Sequence, residues 1–391
     1  MERKYQVIVY GATGFTGKLC AKYLKDNYSD LSWAIGGRNL SKLEKIKKDL
    51  NLDCDIQVAD GENYEELCNL VKQTKVLMTT AGPYVKYGSL LMKACIFEKT
   101  HYTDITGENH WVKSQMDLYQ EEASSKGVRV IPSCGYDSLP SDIGTFFSIK
   151  QLNKPIKKVE VFHSAAGGAS GGTIESIFSM GKLPKEMRDP FVLNPKDTVS
   201  DIQRKESQDS LSIRWVKEAK KWSGIGLFSV ANTRVVRRSA ALMELNQNPY
   251  GKNFVFKEYG AYSSRRAAIF TSLGLILSFL IISSPLKRLV RRFLPQPGEG
   301  PSEEVREKGW FRGIFITEAE DGERQVTSIY GDGDPGYKST SKMLCESALT
   351  LALSDNLPGG ENFGGFLTPA SGLGMPLIER LKKAGIKFTV E

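Results

Sequence analysis

Tyr5-Gln-Val-Ile-Val-Tyr-Gly-Ala-Thr-Gly-Phe-Thr-Gly17 is an apolar run that ends in three glycines, each separated by two residues. Tyr5 to Tyr10 is β-branched and aromatic, as a buried strand requires. Lys18 to Asn27 then carries apolar residues at helical spacing. Strand, glycine turn and helix, in that order, form the context in which Gly-x-x-Gly-x-x-Gly cradles a pyrophosphate. Gly11 permits the tight turn, Gly14 lets backbone approach the phosphates, and Gly17 lets helix and strand pack closely. The helix start adds unpaired N–H groups and a positive dipole end. Thr13, Phe15 and Thr16 are grouped with Gly11, Gly14 and Gly17 as cofactor contacts.

Moving outward, strand and helix signals alternate. Strands are expected at Leu31 to Ile35, Asp55 to Ala59, Val76 to Thr80, Tyr102 to Ile105 and Val128 to Pro132. Helices are expected at Ser41 to Leu50, Glu62 to Lys72 and Leu90 to Lys99. The alternation predicts an α/β fold, a Rossmann doubly wound parallel sheet. Arg38 stands at the end of the second strand, about 20 residues after the glycines, where an acidic residue would bind a ribose 2′-hydroxyl. A cation there suits a 2′-phosphate, so NADP(H) is expected over NAD(H). Asp60 ends the third strand, and Ala81-Gly82-Pro83-Tyr84 follows the fourth. Both are candidate cofactor contacts, because ligands lie at the carboxyl ends of such strands.

After Pro140 the texture changes. Val159 to Ser164, Arg234 to Met243 and Asn253 to Tyr262 read as strand-like, within an inserted mixed α+β substrate domain. Pro295 to Pro301 reads as a flexible link. Trp310 to Thr317 and Gln325 to Tyr330 are strands, and Ser339 to Leu353 and Met375 to Ala384 are helices. The expected organisation is residues 1–145, dinucleotide-binding; residues 146–335, substrate domain; and residues 336–391, returning to the first domain.

The chain of 391 residues carries a net charge of +8, with 40% hydrophobic and 25% charged residues, an ordinary globular balance. The basic excess is local. Between Tyr259 and Gln296 there is no Asp or Glu, while Arg265, Arg266, Lys287, Arg288, Arg291 and Arg292 all fall there. They bracket Ala267 to Ser283, AAIFTSLGLILSFLIIS, 17 residues without a charge. A helix of that length reaches about 25 Å, short for a hydrocarbon core near 30 Å. A monotopic helix or hairpin over 267–285, with 265–292 resting on anionic headgroups, is the expectation; a buried core helix is the alternative. No nucleic-acid reader motif accompanies the basic cluster. The six cysteines form no C-x-x-C pair and keep no metal-ligand spacing with His101, His110 or His163, so reduced thiols and no metal site are expected. Met1-Glu-Arg-Lys4 carries no signal-peptide pattern.

Several motifs resemble the saccharopine dehydrogenase-like oxidoreductases. They are Gly11 to Gly17, Ala81 to Tyr84, His101-Tyr-Thr-Asp104-Ile-Thr-Gly-Glu108, Cys134-Gly-Tyr-Asp137-Ser-Leu-Pro-Ser-Asp142, Ser170-Gly-Gly-Thr173 and Gly331-Asp-Gly-Asp-Pro-Gly-Tyr337. Leu367-Thr-Pro-Ala370 through Ala384-Gly-Ile386 matches as well, so the resemblance spans nearly the whole chain. It implies kinship with trans-acting enoyl reductases. It also implies likeness to animal members on lipid droplets and membranes, and hence a lipid-droplet or cytosol-facing endoplasmic-reticulum location.

Hydride transfer needs an oriented substrate and a proton or polarising group. Tyr84, Asp104 and Asp137, all on carboxyl-end loops, are the candidates, with Glu108 on the same loops as a further proton donor; Glu108 and Asp104 also suit a helix cap, and Asp137 a turn. The leading reading is NADP(H)-dependent hydride transfer to or from a C=C or C=O group of a lipid-like substrate, at a site near Ser170 to Thr173. A silent NAD(P)-binding scaffold or redox sensor and a saccharopine oxidoreductase are the alternatives; a homodimer is left open.

Overall fold

The computed structural model describes residues 3–168, 186–209, 212–282, 284, 286, 290–291 and 300–391. Ser170 to Thr173 and most of the 295–301 link lie outside these residues.

The first sheet is seven-stranded and parallel. Strand β1 (Tyr5–Tyr10) is central. It is flanked on one side by β2 (Trp33–Gly37) and β3 (Asp55–Val58), and on the other by β4 (Thr74–Thr79), β5 (His101–Thr103) and β6 (Arg129–Ile131). Helices α1 (Phe15–Asn27), α2 (Leu40–Asp49), α3 (Tyr64–Val71), α4 (Tyr84–Tyr87), α5 (Ser89–Phe97) and α6 (Asn109–Ser125) connect them. Val7, Ile8 and Val9 of β1 are fully buried, consistent with a sheet covered on both faces. Local chemistry sets the helix starts: Asn39 accepts the Lys42 N–H and Asn63 the Glu66 N–H.

Helix α7 (Leu139–Leu152) leads into a second, mixed sheet. Its strands are β7 (Ile156–Ala166), β8 (Trp215–Val216), β9 (Lys221–Gly224), β10 (Val255–Tyr262), β11 (Trp310–Ala319) and β12 (Arg324–Asp332). Helices α8 (Asp201–Glu206), α9 (Ser229–Leu245), α10 (Arg265–Ile282) and α11 (Glu303–Lys308) lie between them. The chain then supplies α12 (Thr340–Leu353), β13 (Gly365–Phe366), α13 (Pro369–Gly372), α14 (Gly374–Lys383) and β14 (Lys387–Val390). This C-terminal stretch divides between the sheets. Helix α12 packs on α1, β1, β4 and β5, and β13 extends the first sheet beside β6, whereas β14 pairs with β12 on the second.

Arg234 to Met243, expected as strand, lies inside helix α9. The misreading has a physical cause: the helix buries polar residues, which removes the apolar periodicity that marks a helix. Arg237 donates to the carbonyls of Pro190, Ser207 and Phe256, and Arg238 to those of Leu193 and Phe366. Arg234 pairs with Asp209 at 2.7 Å.

Helix α10 is not a core helix. Its 18 residues are apolar enough to cross a membrane by length and composition, yet only 11% of the span is buried. Phe270 is 72% exposed and Phe279 62%. Ala268 and Ser272 are its buried residues; the helix contacts β9 and β10, and the Ser272 hydroxyl accepts the Ile225 N–H at 3.0 Å.

Candidate active site

The glycine turn is built as its spacing requires. Gly11 has φ +85°, and a Cβ there would stand 3.0 Å from the Ala81 nitrogen. A Cβ on Gly17 would stand 2.3 Å from the Gly11 carbonyl oxygen. Gly14 caps α1 without any side-chain hydrogen bond, and the first turn carries no acidic residue. Among the described residues no side chain accepts the leading N–H groups of α1, the arrangement that binds a pyrophosphate. Phe15 opens the helix. Its ring meets Tyr337 edge-on at 5.1 Å and lies under the Arg306 guanidinium at 5.4 Å, tying the later chain to the turn. Thr13 and Thr16 are half-buried beside it.

The adjoining loop is fastened to this turn. Thr80 N–H donates to the Tyr10 carbonyl at 3.0 Å and the Thr80 hydroxyl to the Gly11 carbonyl at 3.2 Å. Ala81, Gly82 and Pro83 are thereby set along the cradle. Arg38 and Asp60 are both exposed just beyond their strands. Both act electrostatically on the Tyr10 phenol, which burial pushes up to about 12. Arg38 has no ion-pair partner among the described residues, leaving its guanidinium available to a 2′-phosphate. Asp60 is partly committed: its carboxylate accepts the Glu62 N–H at 3.0 Å, and its own N–H donates to Glu66 at 2.8 Å. The residues present thus fit NADP(H): the Gly11 to Gly17 turn for the pyrophosphate, Arg38 for the 2′-phosphate, and Ala81 to Pro83 along the edge.

The candidate proton donors fare differently. Tyr84 is buried against Trp111. Its hydroxyl donates to the Thr79 carbonyl at 3.1 Å and accepts the Ile105 N–H at 3.3 Å, so the geometry makes it a wall residue, not an open acid. Asp104 is fully buried. It accepts the Tyr102 hydroxyl at 2.8 Å, the Thr106 N–H at 2.9 Å and the Ser133 N–H at 2.9 Å. Burial outweighs these donors and raises it to about 7. Asp104 thus pins the loops after β5 and β6 together, and no edge of it is open to the cleft. Glu108 caps α4, not its own helix, accepting N–H groups of Tyr84 at 3.0 Å and Val85 at 2.9 Å. Asp137 alone of the three candidates is half-buried, with no hydrogen-bond partner among the described residues, and burial raises it to about 7.

A second set of polar groups adjoins Asp137. The Ser141 hydroxyl donates to Glu258 Oε2 at 2.7 Å and lies 2.9 Å from His163 Nε2. Asn232 donates to Glu258 Oε1 at 2.7 Å and accepts the Ser138 hydroxyl at 3.2 Å. Burial raises Glu258 to about 7 and lowers His163 to about 4, so the cluster holds a neutral imidazole beside a carboxyl that titrates near neutrality. The order is wrong for an acyl-transfer triad, because the carboxylate bonds the serine and not the far imidazole nitrogen. Tyr136 closes the cluster. Its ring meets His163 at 6.3 Å, Phe228 at 6.5 Å and Phe311 at 5.3 Å, all edge-on, and its N–H donates to Thr340 Oγ1 at 3.0 Å. Sequence reasoning missed this group: its members come from a loop, two helices and two strands, and no local spacing joins them. The Cys134-Gly-Tyr136-Asp137-Ser138 motif was the one available signal.

Elsewhere, a groove of ≈ 430 Å³ on the second sheet is lined by Lys158, Glu160, Arg214, Glu318 and Arg324. These charges pair with one another, as in Arg214–Glu160 at 2.7 Å and Arg324–Glu318 at 2.6 Å, and no residue of the glycine turn lines the groove. Among the described residues no His, Cys, Asp and Glu group is arranged to hold a metal ion.

Comparison with known proteins agrees with this geometry. Residues 7–131 match the saccharopine dehydrogenase NADP binding domain family. A Mycobacterium tuberculosis protein whose name assigns it to the trans-acting enoyl reductases is 33% identical over 99% of this chain and 97% of its own. A trans-acting enoyl reductase of Mycobacterium ulcerans is 30% identical over 98% and 97%. Saccharopine dehydrogenase (L-Glu forming) from Saccharomyces cerevisiae superposes with a TM-score of 0.54 at 11% identity, covering 99% of this chain and 100% of that one, a likeness of fold. The chain is an NADP-binding oxidoreductase and belongs to the saccharopine dehydrogenase-like family that includes the trans-acting enoyl reductases.

Proposed function

We propose that this oxidoreductase transfers hydride to or from a C=C or C=O group of a lipid-like substrate at a membrane or lipid-droplet surface, on the cytosolic side of the endoplasmic reticulum. The observation that carries the reading is helix α10. A helix with Phe270, Leu273, Leu277, Phe279 and Leu280 all exposed has no stable place in water. Its root is docked on β9 and β10, and the chain returns to the same sheet at β11. Both flanks therefore belong to one body, which favours insertion into one leaflet over a crossing. Arg265 and Arg266 at its start suit anionic headgroups. The names of the mycobacterial relatives support an enoyl group as the reacting part.

When bound, NADPH supplies the hydride. The chain's own residues orient the ligand on the Gly11 to Gly17 turn, select the 2′-phosphate at Arg38, and place Asp137 and the Tyr136 wall across the cleft. Saccharopine itself is the weaker reading: a dicarboxylate needs available cations, and the buried Arg129, Arg237 and Arg238 are bonded to backbone carbonyls.

The test is flotation with vesicles of phosphatidylcholine and phosphatidylserine. The wild-type chain should rise with the lipid. A variant carrying Phe270→Ser, Leu273→Ser, Leu277→Ser and Leu280→Ser should stay below. Wild type remaining with the dense fraction, or the variant floating equally, overturns the surface assignment.

A further inference from the structure

Tyr136 occupies a position in the fold that neither the glycine turn nor the exposed helix explains. It sits on the loop after β6, at the carboxyl ends of the parallel strands, where open α/β sheets bind their ligands. Its ring reaches across the domain junction and is boxed by His163 of β7, Phe228 and Phe311 of β11. The loop that carries it is fixed by two contacts. Asp104 holds Ser133 at 2.9 Å, and Thr340 holds the Tyr136 N–H at 3.0 Å. The residue is half-buried, and its phenol has no hydrogen-bond partner among the described residues. A preorganised phenol with a free donor is what a developing oxyanion requires.

We infer that Tyr136 is the residue that faces the substrate's carbonyl oxygen, donating to it while hydride adds to the conjugated carbon. This deepens the proposed function and rests on it. In the reduction of a C=C bond conjugated to a carbonyl, hydride from NADPH forms the new C–H bond at the β carbon. The C=C π pair shifts toward the carbonyl, whose oxygen gains the electron pair. The Tyr136 O–H bond breaks as its proton passes to that oxygen. The resulting enol becomes the saturated carbonyl by moving its proton to the α carbon through water, and the phenolate regains a proton from solvent beside Asp137. Burial, Glu258 and Asp137 all push the Tyr136 phenol upward, so it stays protonated through neutral pH.

The same box states how the substrate lies. Phe228 ends the segment Ile225 to Phe228, whose Ile225 N–H donates to Ser272 of α10 at 3.0 Å and whose Ile225 carbonyl accepts the Tyr262 hydroxyl at 2.6 Å. Leu227 and Val230 on either side of Phe228 are 61% and 60% exposed. An apolar strip thus runs from the root of the lipid-facing helix to the Tyr136 ring. It fits a long acyl chain whose conjugated carbonyl ends at the phenol.

The experiment uses the full chain with phosphatidylcholine vesicles carrying trans-2-hexadecenal as the probe. Wild type and Tyr136→Phe are compared by NADPH oxidation, by the carbonyl stretching band of the bound probe, and by the thermal shift that NADPH induces. The expected result is a carbonyl band lowered in wild type and returned to the free position in Y136F. With it comes a loss of kcat on the order of 100-fold, with the NADPH-induced shift unchanged. An unchanged thermal shift shows that the variant is folded and loaded. Y136F reducing the aldehyde at the wild-type rate, or showing the same carbonyl band, sinks the inference alone. Wild type neither binding nor reducing the aldehyde overturns the substrate class of the proposed function, and this inference with it.

Discussion

The two walls of the cleft are made of different material. The first-domain wall is backbone: Gly11, Gly14 and Gly17, the first N–H groups of α1, and the Ala81 to Pro83 loop. The facing wall is side chain: Tyr136, with Ser141, His163, Asn232 and Glu258 packed beside it, mostly buried, gathered from loop, helix and strand. A backbone wall tolerates no added atoms, because its function is close approach. A side-chain wall tolerates its shape being copied but not its protons being removed. The contrast predicts that size changes damage the first wall, while isosteric changes on the second alter its proton chemistry and its response to pH.

The largest effect should come from Gly17→Ala. The added Cβ would stand 2.3 Å from the Gly11 carbonyl oxygen and 2.8 Å from the Ala12 Cα, and both are backbone atoms of the turn itself. Relief requires moving the turn or α1, at a cost of about 3 kcal/mol. NADPH should no longer raise the melting temperature, and the unliganded protein should melt earlier. Normal stabilisation by NADPH in G17A would break the claim that the first wall works by close approach.

Why one wall was legible and the other was not follows from distance along the chain. Gly14 and Gly17 crowd atoms of Gly11 and Ala12, within seven residues, so their spacing is itself the structure, and Arg38 follows from the length of one strand–helix–strand unit. Asp142 and Ser239, or Ser141 and Glu258, meet only because α7, α9 and β10 pack together, and nothing local announces that. Tyr84 and Asp104 were legible as carboxyl-end loop residues. Whether such a residue faces the cleft or the core depends on the one or two backbone N–H groups that capture it. The same limit applies to helices. Helices α12 and α10 are both rich in apolar residues, though α12 also carries Lys342 and Glu346 while 267–283 carries no charge. Yet Met343, Leu344 and Leu349 of α12 are fully buried against the first sheet, while α10 lies bare. Burial depends on what else is nearby, and for α10 the sequence offered its charge-free length and its basic flanks.

Arg38→Ala sharpens the comparison, since Arg38 is the side-chain element on the backbone wall. It should lower NADPH affinity on the order of 10- to 100-fold, the worth of a charge-assisted hydrogen bond, and leave NADH affinity unchanged. Thermal-shift titrations with both nucleotides measure this. Equal weakening of the two would assign Arg38 a structural role, and no change in either would remove it from the cofactor site.

Glu258→Gln should have the smallest effect, and one visible only through its dependence on pH. Glu258 faces Ser141 and Asn232 directly, His163 at 3.9 Å, and the charge of Arg237 more remotely. Burial raises its folded pKa from the usual 4.5 to about 7. The folded state therefore holds this proton more tightly than the unfolded chain. The stability it contributes is fully present below about 4.5 and is lost as pH rises to about 7. Glutamine mimics the protonated acid, so E258Q and wild type should melt together near the lower limit. Above the upper limit the wild type alone carries a buried carboxylate, and E258Q should melt a few degrees higher. His163 titrates in both proteins and cancels in the difference. Melting curves of the pair across that range decide the matter. A constant gap would mean that Glu258 is charged throughout, and that the second wall is a fixed ion pair with His163 and not a store of protons.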